Sequence, residues 1–135
     1  MREQFNYGLI KVSVYMPKRI NIVRGDSGVG KTFLAKALHQ LTLKSYKVIS
    51  YGYENYMGIS CDQIASLNDE SLLILDNADI YMTKELQRAV LQSHATCLIF
   101  IRDTTFFNST NAALCKVIYK DKTLTLRELR YEDNF

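Results

Sequence analysis

The 135-residue chain predicts an α/β fold in three layers, with helices on both faces of a mainly parallel sheet. Three observations carry this expectation. Strand-like and helix-like segments alternate from residue 19 to about 101, as successive βαβ units do. A glycine-rich stretch at residues 25–32 separates a short apolar run from a helical pattern. Ser71-Leu72-Leu73-Ile74-Leu75-Asp76 is a run of large aliphatics ending in a carboxylate, which suits a central strand covered on both faces.

Each element follows from local pattern. Leu9 to Tyr15 alternates and leads through Met16-Pro17-Lys18 into the next strand, so an antiparallel edge strand is expected there. Arg19-Ile20-Asn21-Ile22-Val23 reads as a buried strand after the sole proline. From Thr32, the residues Leu34, Ala35, Leu38, Leu41 and Thr42 recur at helical spacing, with Lys36, Gln40 and Lys44 on the other face. Lys47-Val48-Ile49-Ser50-Tyr51 is a second strand, followed by a loop containing Gly52 and Gly58. Ser60 and Gln63 form a capping-box pattern ahead of a short helix through Ile64, Ala65 and Leu67. Thr83 is placed to cap a helix with an apolar stripe of Leu86, Ala89 and Val90, and residues 96–101 form another buried strand. Residues 116–119 and 123–126 flank Lys120-Asp121-Lys122 as a C-terminal hairpin, and residues 131–135 are expected to fray.

Gly25-Asp26-Ser27-Gly28-Val29-Gly30-Lys31-Thr32 satisfies the phosphate-binding pattern G-x-x-x-x-G-K-[ST] between a strand and a helix. Its glycines let successive N–H groups turn inward around phosphate oxygens. The helix that starts near Gly30 adds its positive end. Lys31 is the candidate for the β- and γ-phosphates and Thr32 for Mg²⁺. With the adjoining Phe33, residues 25–32 are the candidate nucleotide-binding set, for ATP or ADP with Mg²⁺. Asp76, delivered by its strand to the sheet edge where open α/β folds bind ligands, is a second metal candidate, or else a cap for the following turn.

With these motifs the chain resembles P-loop NTPases of the additional-strand class, which includes AAA+, RecA-like and helicase-loader ATPases. Residues 25–32 match Walker A and 72–76 Walker B, and the resemblance covers roughly residues 19–102. It implies strand order 5-1-4-3-2 and a minimal domain without a lid, spanning residues 1–135. It also implies a glutamate beside Asp76, where this chain has Asn77. An amide cannot take a proton as a carboxylate does, so ATP hydrolysis is expected to be slow. Asp79 either substitutes as base or faces solvent. Arg102, where the resemblance implies a small polar sensor, either stabilises transferring phosphate as a cis arginine or is neutralised by Asp103. The loop also resembles that of HPr kinase/phosphorylase, but that likeness stops at residue 31. A small-molecule kinase is disfavoured because residues 104–110 contain no basic lid.

Composition narrows the classes. No apolar run approaches a membrane span, and the first residues lack a secretory core, so a cytoplasmic protein is expected. Cys61, Cys97 and Cys115 lack metal-ligand spacing and read as reduced thiols. His39 and His94 are isolated, and Tyr51, Tyr53 and Tyr56 crowd one segment with packing as the default role. A net charge of +3, spread along the chain, permits nucleic-acid binding without arguing for it. Three readings remain: a slow Mg²⁺-dependent ATPase acting with a protein partner or by self-association, a nucleotide-dependent regulatory module that does not hydrolyse, and a nucleic-acid accessory ATPase resembling a helicase loader or transposition helper.

Overall fold

In the computed structural model, which describes residues 1–24, 30–107, 111–130 and 133, eight strands join one sheet. They are β1 (Arg2–Tyr7), β2 (Ile10–Tyr15), β3 (Ile20–Val23), β4 (Lys47–Tyr51), β5 (Ser71–Leu75), β6 (Thr96–Phe100), β7 (Ala112–Lys120) and β8 (Thr123–Glu128). The spatial order is β1-β2-β8-β7-β3-β6-β5-β4. From β7 to β4 the neighbours are parallel, and this run has the order 5-1-4-3-2. β2 and β8 are also parallel, whereas β1–β2 and β7–β8 are antiparallel.

The expected three-layer, mainly parallel P-loop fold is therefore corrected: the chain forms an eight-stranded mixed sheet with few helices. Half of its strands, β1, β2, β8 and β7, form a wing in which both antiparallel pairs lie. In this wing β2 buries Val12 and Val14 and β8 buries Leu124 and Leu126, while alternate residues such as Lys11 and Thr123 stay accessible. Alternation of that kind marks a sheet covered on one face, and a three-layer fold needs cover on two. The helices are short: α1 (Lys31–Leu38), α2 (Cys61–Ala65) and α3 (Lys84–Gln92).

Two strand assignments change with it. β2 is not an edge strand, because Gly8, at φ 62°, turns the chain between β1 and β2 and places β1 outside it. β1, with sequence REQFNY, carries too little apolar signal to be read as a strand alone. The C-terminal hairpin is no appendage either. β7 starts at Ala112 and pairs Ile20 with Ala112 and Val23 with Cys115, so it is the sheet neighbour of β3. Asp121 and Lys122 both have positive φ, the backbone of a tight two-residue hairpin turn.

Over β3, β5 and β6 the side chains divide by parity. Ile20, Ile22, Leu73, Leu75, Cys97 and Ile99 pack with Ile64 of α2 and Leu86, Ala89 and Val90 of α3. Val23, Leu72, Ile74, Leu98 and Phe100 pack with Leu34, Ala37 and Leu38 of α1, joined by the inward residues of β2 and β8. Each fully buried side chain of this size contributes about 1.5–3 kcal/mol of transfer free energy. Both expected caps form: Ser60 Oγ accepts from the Gln63 N–H at 3.3 Å and Thr83 Oγ1 from the Leu86 N–H at 3.1 Å. Asn21, fully buried in β3, donates Nδ2 to Lys18 O at 2.7 Å and Cys97 O at 3.2 Å, which offsets its burial. Among the described residues no helix is long and apolar enough to cross a membrane. Of the segment expected to fray, only Asp133 is described, and it pairs with Arg127 at 2.8 Å through both carboxylate oxygens.

Candidate functional site

Because β3, β4, β5 and β6 run parallel, their carboxyl ends share one edge of the sheet. The ladder continues past the strands: Ile101 N–H donates to Val23 O at 3.1 Å, and Asp76 N–H donates to Tyr51 O at 2.8 Å. Arg24, Gly52, Asp76 and Arg102 are thus brought to the same edge. The chain leaves β3 here and enters α1 at Lys31, so Lys31 and Thr32 begin the helix there.

Gly25, Asp26, Ser27, Gly28 and Val29 lie outside the described residues. Gly30 is described and has φ 96° as the residue that caps α1. A Cβ there would stand 2.9 Å from Leu124 Cδ1 and 3.2 Å from Val117 Cγ1. Glycine at this position is therefore required by backbone conformation and by the β7–β8 wing. Phe33 meets the Tyr7 ring edge-to-face, with centroids 5.2 Å apart, so its ring packs against β1.

Asp76 is half-buried, and burial raises its carboxyl pKa above the ordinary value; the Asn77 N–H at 3.0 Å and the Lys31 charge oppose that rise. Its carboxylate accepts a turn contact from Asn77 and also borders a cleft of about 350 Å³ that Thr32, His39, Ser50, Glu54 and Asn77 help to line. The two residues singled out as metal candidates, Thr32 and Asp76, thus line one cavity. Both are hard oxygen donors, the chemistry Mg²⁺ takes, and a cation would offset the cost of an ionised, half-buried Asp76. The donor set fits Mg²⁺.

The other candidates are placed differently. Asn77 adopts a left-handed conformation at φ 52°, ψ 43°, which asparagine tolerates better than most residues. Asp79 turns toward the end of β6, where its carboxylate accepts from the N–H groups of Arg102 and Asp103. Asp103 accepts from Thr105 N–H at 3.0 Å and Thr105 Oγ1 at 2.6 Å, and these bonds lower its pKa. Arg102 follows directly after Ile101 and is exposed.

Sequence reasoning missed several residues at this edge. Tyr81 donates its hydroxyl to Asp76 O at 2.6 Å and sits behind the site. Gly52 and Asn55 close a tight turn, with Gly52 N–H donating to Asn55 Oδ1 at 2.8 Å. His39, without a motif, lies 2.9 Å from Ser50 Oγ in the cleft wall. The Gly52 loop and the local crowding of tyrosines were the available signals, but neither indicates which partner a side chain meets. No family model matches this chain, and no curated protein matches it.

Proposed function

We propose that the chain binds ATP or ADP with Mg²⁺ at residues 25–33 and hydrolyses ATP slowly, acting with a protein partner or by self-association. The observation that carries this reading is that Thr32 and Asp76 line one cleft, with the Lys31 charge acting on Asp76, at the end of a glycine-rich stretch that satisfies the phosphate-binding pattern. Within the mixed sheet, the parallel run from β7 to β4 has the strand order that the resemblance to additional-strand P-loop NTPases implies.

In this reading the backbone of residues 25–30 and the Lys31 ammonium bind phosphate oxygens. Thr32 and Asp76 would hold Mg²⁺, which when bound neutralises charge on the phosphates. Lys31 and Arg102 are the cations offered for negative charge that grows during transfer. Asn77 can orient a water but cannot hold its proton, so the rate lacks a general-base contribution of typically ~10²–10⁴. A cytoplasmic setting goes with this reading, and Cys97 and Cys115 are buried free thiols, as the sequence reading expects.

A second reading, a regulatory module that binds nucleotide without hydrolysing it, is favoured by one observation. Neither Asn77 nor the backbone-bound Asp79 offers a free carboxylate beside Asp76.

Thermal denaturation with and without Mg·ATP tests the site. Ligand at one hundred times its Kd stabilises by about 2.7 kcal/mol, so a clear rise in Tm is expected for the native protein and none for Lys31→Ala. An equal rise in both refutes the assignment. Release of phosphate over time then separates the two readings.

A further inference from the structure

Asp79 stands three residues after Asp76, in a turn of 3₁₀ helix, Ala78–Ile80, anchored by fully buried Ala78. Its Oδ2 accepts from Arg102 N–H at 2.9 Å, and its Oδ1 accepts from Arg102 N–H at 3.1 Å and Asp103 N–H at 3.2 Å. One carboxylate therefore ties the turn after β5 to the segment after β6. That segment is held from two further sides. Asp103 closes the 3₁₀ turn Thr104–Phe106 through Thr105, and Gln87 of α3 donates Nε2 to Phe106 O. Ile101, just before it, is fixed to β3 through Val23 O.

We infer that Asp79 is a positioning residue, an acceptor that holds Arg102 in register with Asp76, and that it is not the proton acceptor for an attacking water. Three of the carboxylate's roughly four lone-pair sites accept main-chain N–H bonds from the segment after β6, and Asp79 is not among the described residues that line the cleft shared by Thr32 and Asp76. For its functional half the inference rests on the nucleotide-binding reading. The chemistry separates the two roles cleanly: Oδ1 alone contacts both N–H groups, so asparagine preserves the clamp but cannot act as a base.

Amide hydrogen exchange of the nucleotide-free protein and steady-state Mg·ATP hydrolysis are measured on the native protein, Asp79→Asn, Asp79→Ala, Arg102→Ala and the double variant Asp79→Ala/Arg102→Ala. Exchange at the Arg102 and Asp103 amides is expected to rise about tenfold or more in Asp79→Ala and to change less than about threefold in Asp79→Asn. In parallel, kcat falls about tenfold or more in Asp79→Ala but stays within about threefold in Asp79→Asn, while KM moves less than about threefold in both. Adding Asp79→Ala to Arg102→Ala lowers kcat no further.

Equal loss of kcat in Asp79→Asn and Asp79→Ala overturns the inference and makes Asp79 a base. Additive losses in the double variant overturn the link to Arg102. Unchanged exchange at both amides in Asp79→Ala overturns the clamp. Undetectable turnover in a native protein that still binds Mg·ATP overturns the functional half. A native protein that Mg·ATP fails to stabilise refutes the nucleotide reading instead, and the exchange comparison still decides the clamp.

Discussion

The Tyr81 hydroxyl lies 2.6 Å from the carbonyl oxygen of Asp76 and 3.2 Å from that of Tyr51, so one side chain bridges the carboxyl ends of β4 and β5. Its ring stacks on Tyr56, with centroids 5.3 Å apart and planes 7° from parallel. Burial and the nearby Asp76 charge raise its pKa, which keeps the phenol a donor at any physiological pH. The backbone under the candidate metal carboxylate is thereby fixed from behind.

Tyr81→Phe keeps the stack and removes the bridge. The expected loss is about 1 kcal/mol of stability. It is read as a lower urea midpoint at unchanged slope. Affinity for Mg·ATP should also fall several-fold. A variant with native stability and native affinity would show that the bridge contributes nothing.

Asp76→Asn has a pH-dependent signature. The folded pKa is raised, so the protonated form folds better. Its contribution to stability is fully present below the unfolded value of about 3.9 and is lost as pH rises through the folded pKa. At neutral pH, without metal, the asparagine variant should therefore melt a few degrees higher than the native protein. That advantage shrinks as pH falls toward 4. With Mg·ATP the ranking reverses, because the variant lacks the carboxylate that meets the cation. A lower melting temperature of the variant at neutral pH without metal contradicts the assigned cost of burial.

Asn77→Glu carries two opposed effects. Glutamate in the left-handed conformation of residue 77 costs about 1 kcal/mol, whereas Asn77→Gly should cost nothing. If the new carboxylate reaches the attacking water, turnover rises despite the lost stability, within the ~10²–10⁴ range of general-base help. Chemical denaturation and phosphate release read the two effects separately. Equal stability of the glutamate and glycine variants would refute the backbone account of Asn77.

Gly30→Ala should destabilise the fold as well as abolish nucleotide binding. Positive φ and a 2.9 Å approach to Leu124 act together, at an expected cost of about 1–3 kcal/mol. Lys31→Ala, on the same turn, should abolish binding with little loss of stability. A fully stable Gly30→Ala protein would show that the β7–β8 wing yields easily at Leu124.

What local sequence could decide, it decided by itself. β4 spans Lys47–Tyr51 as its apolar run indicates, and Ser60 and Thr83 cap α2 and α3 because side chains at fixed offsets choose those bonds. The glycine-lysine-threonine stretch satisfies the phosphate-binding pattern in residue type alone, and Asp76 follows from an aliphatic strand that must end somewhere. Other features depended on contacts between distant segments. REQFNY becomes a strand because β2 supplies a ladder, and β7 lies beside β3 because Ile20 and Val23 find Ala112 and Cys115 some ninety residues later. That wing, covered on one face, is what turns the expected three-layer fold into a mixed sheet. At the site, spacing left Asp79 as either a base or a solvent-facing acid. Only the fold brings the N–H groups of Arg102 and Asp103 to its carboxylate, because hydrogen bonds between strand ends depend on sheet order, which no local pattern encodes.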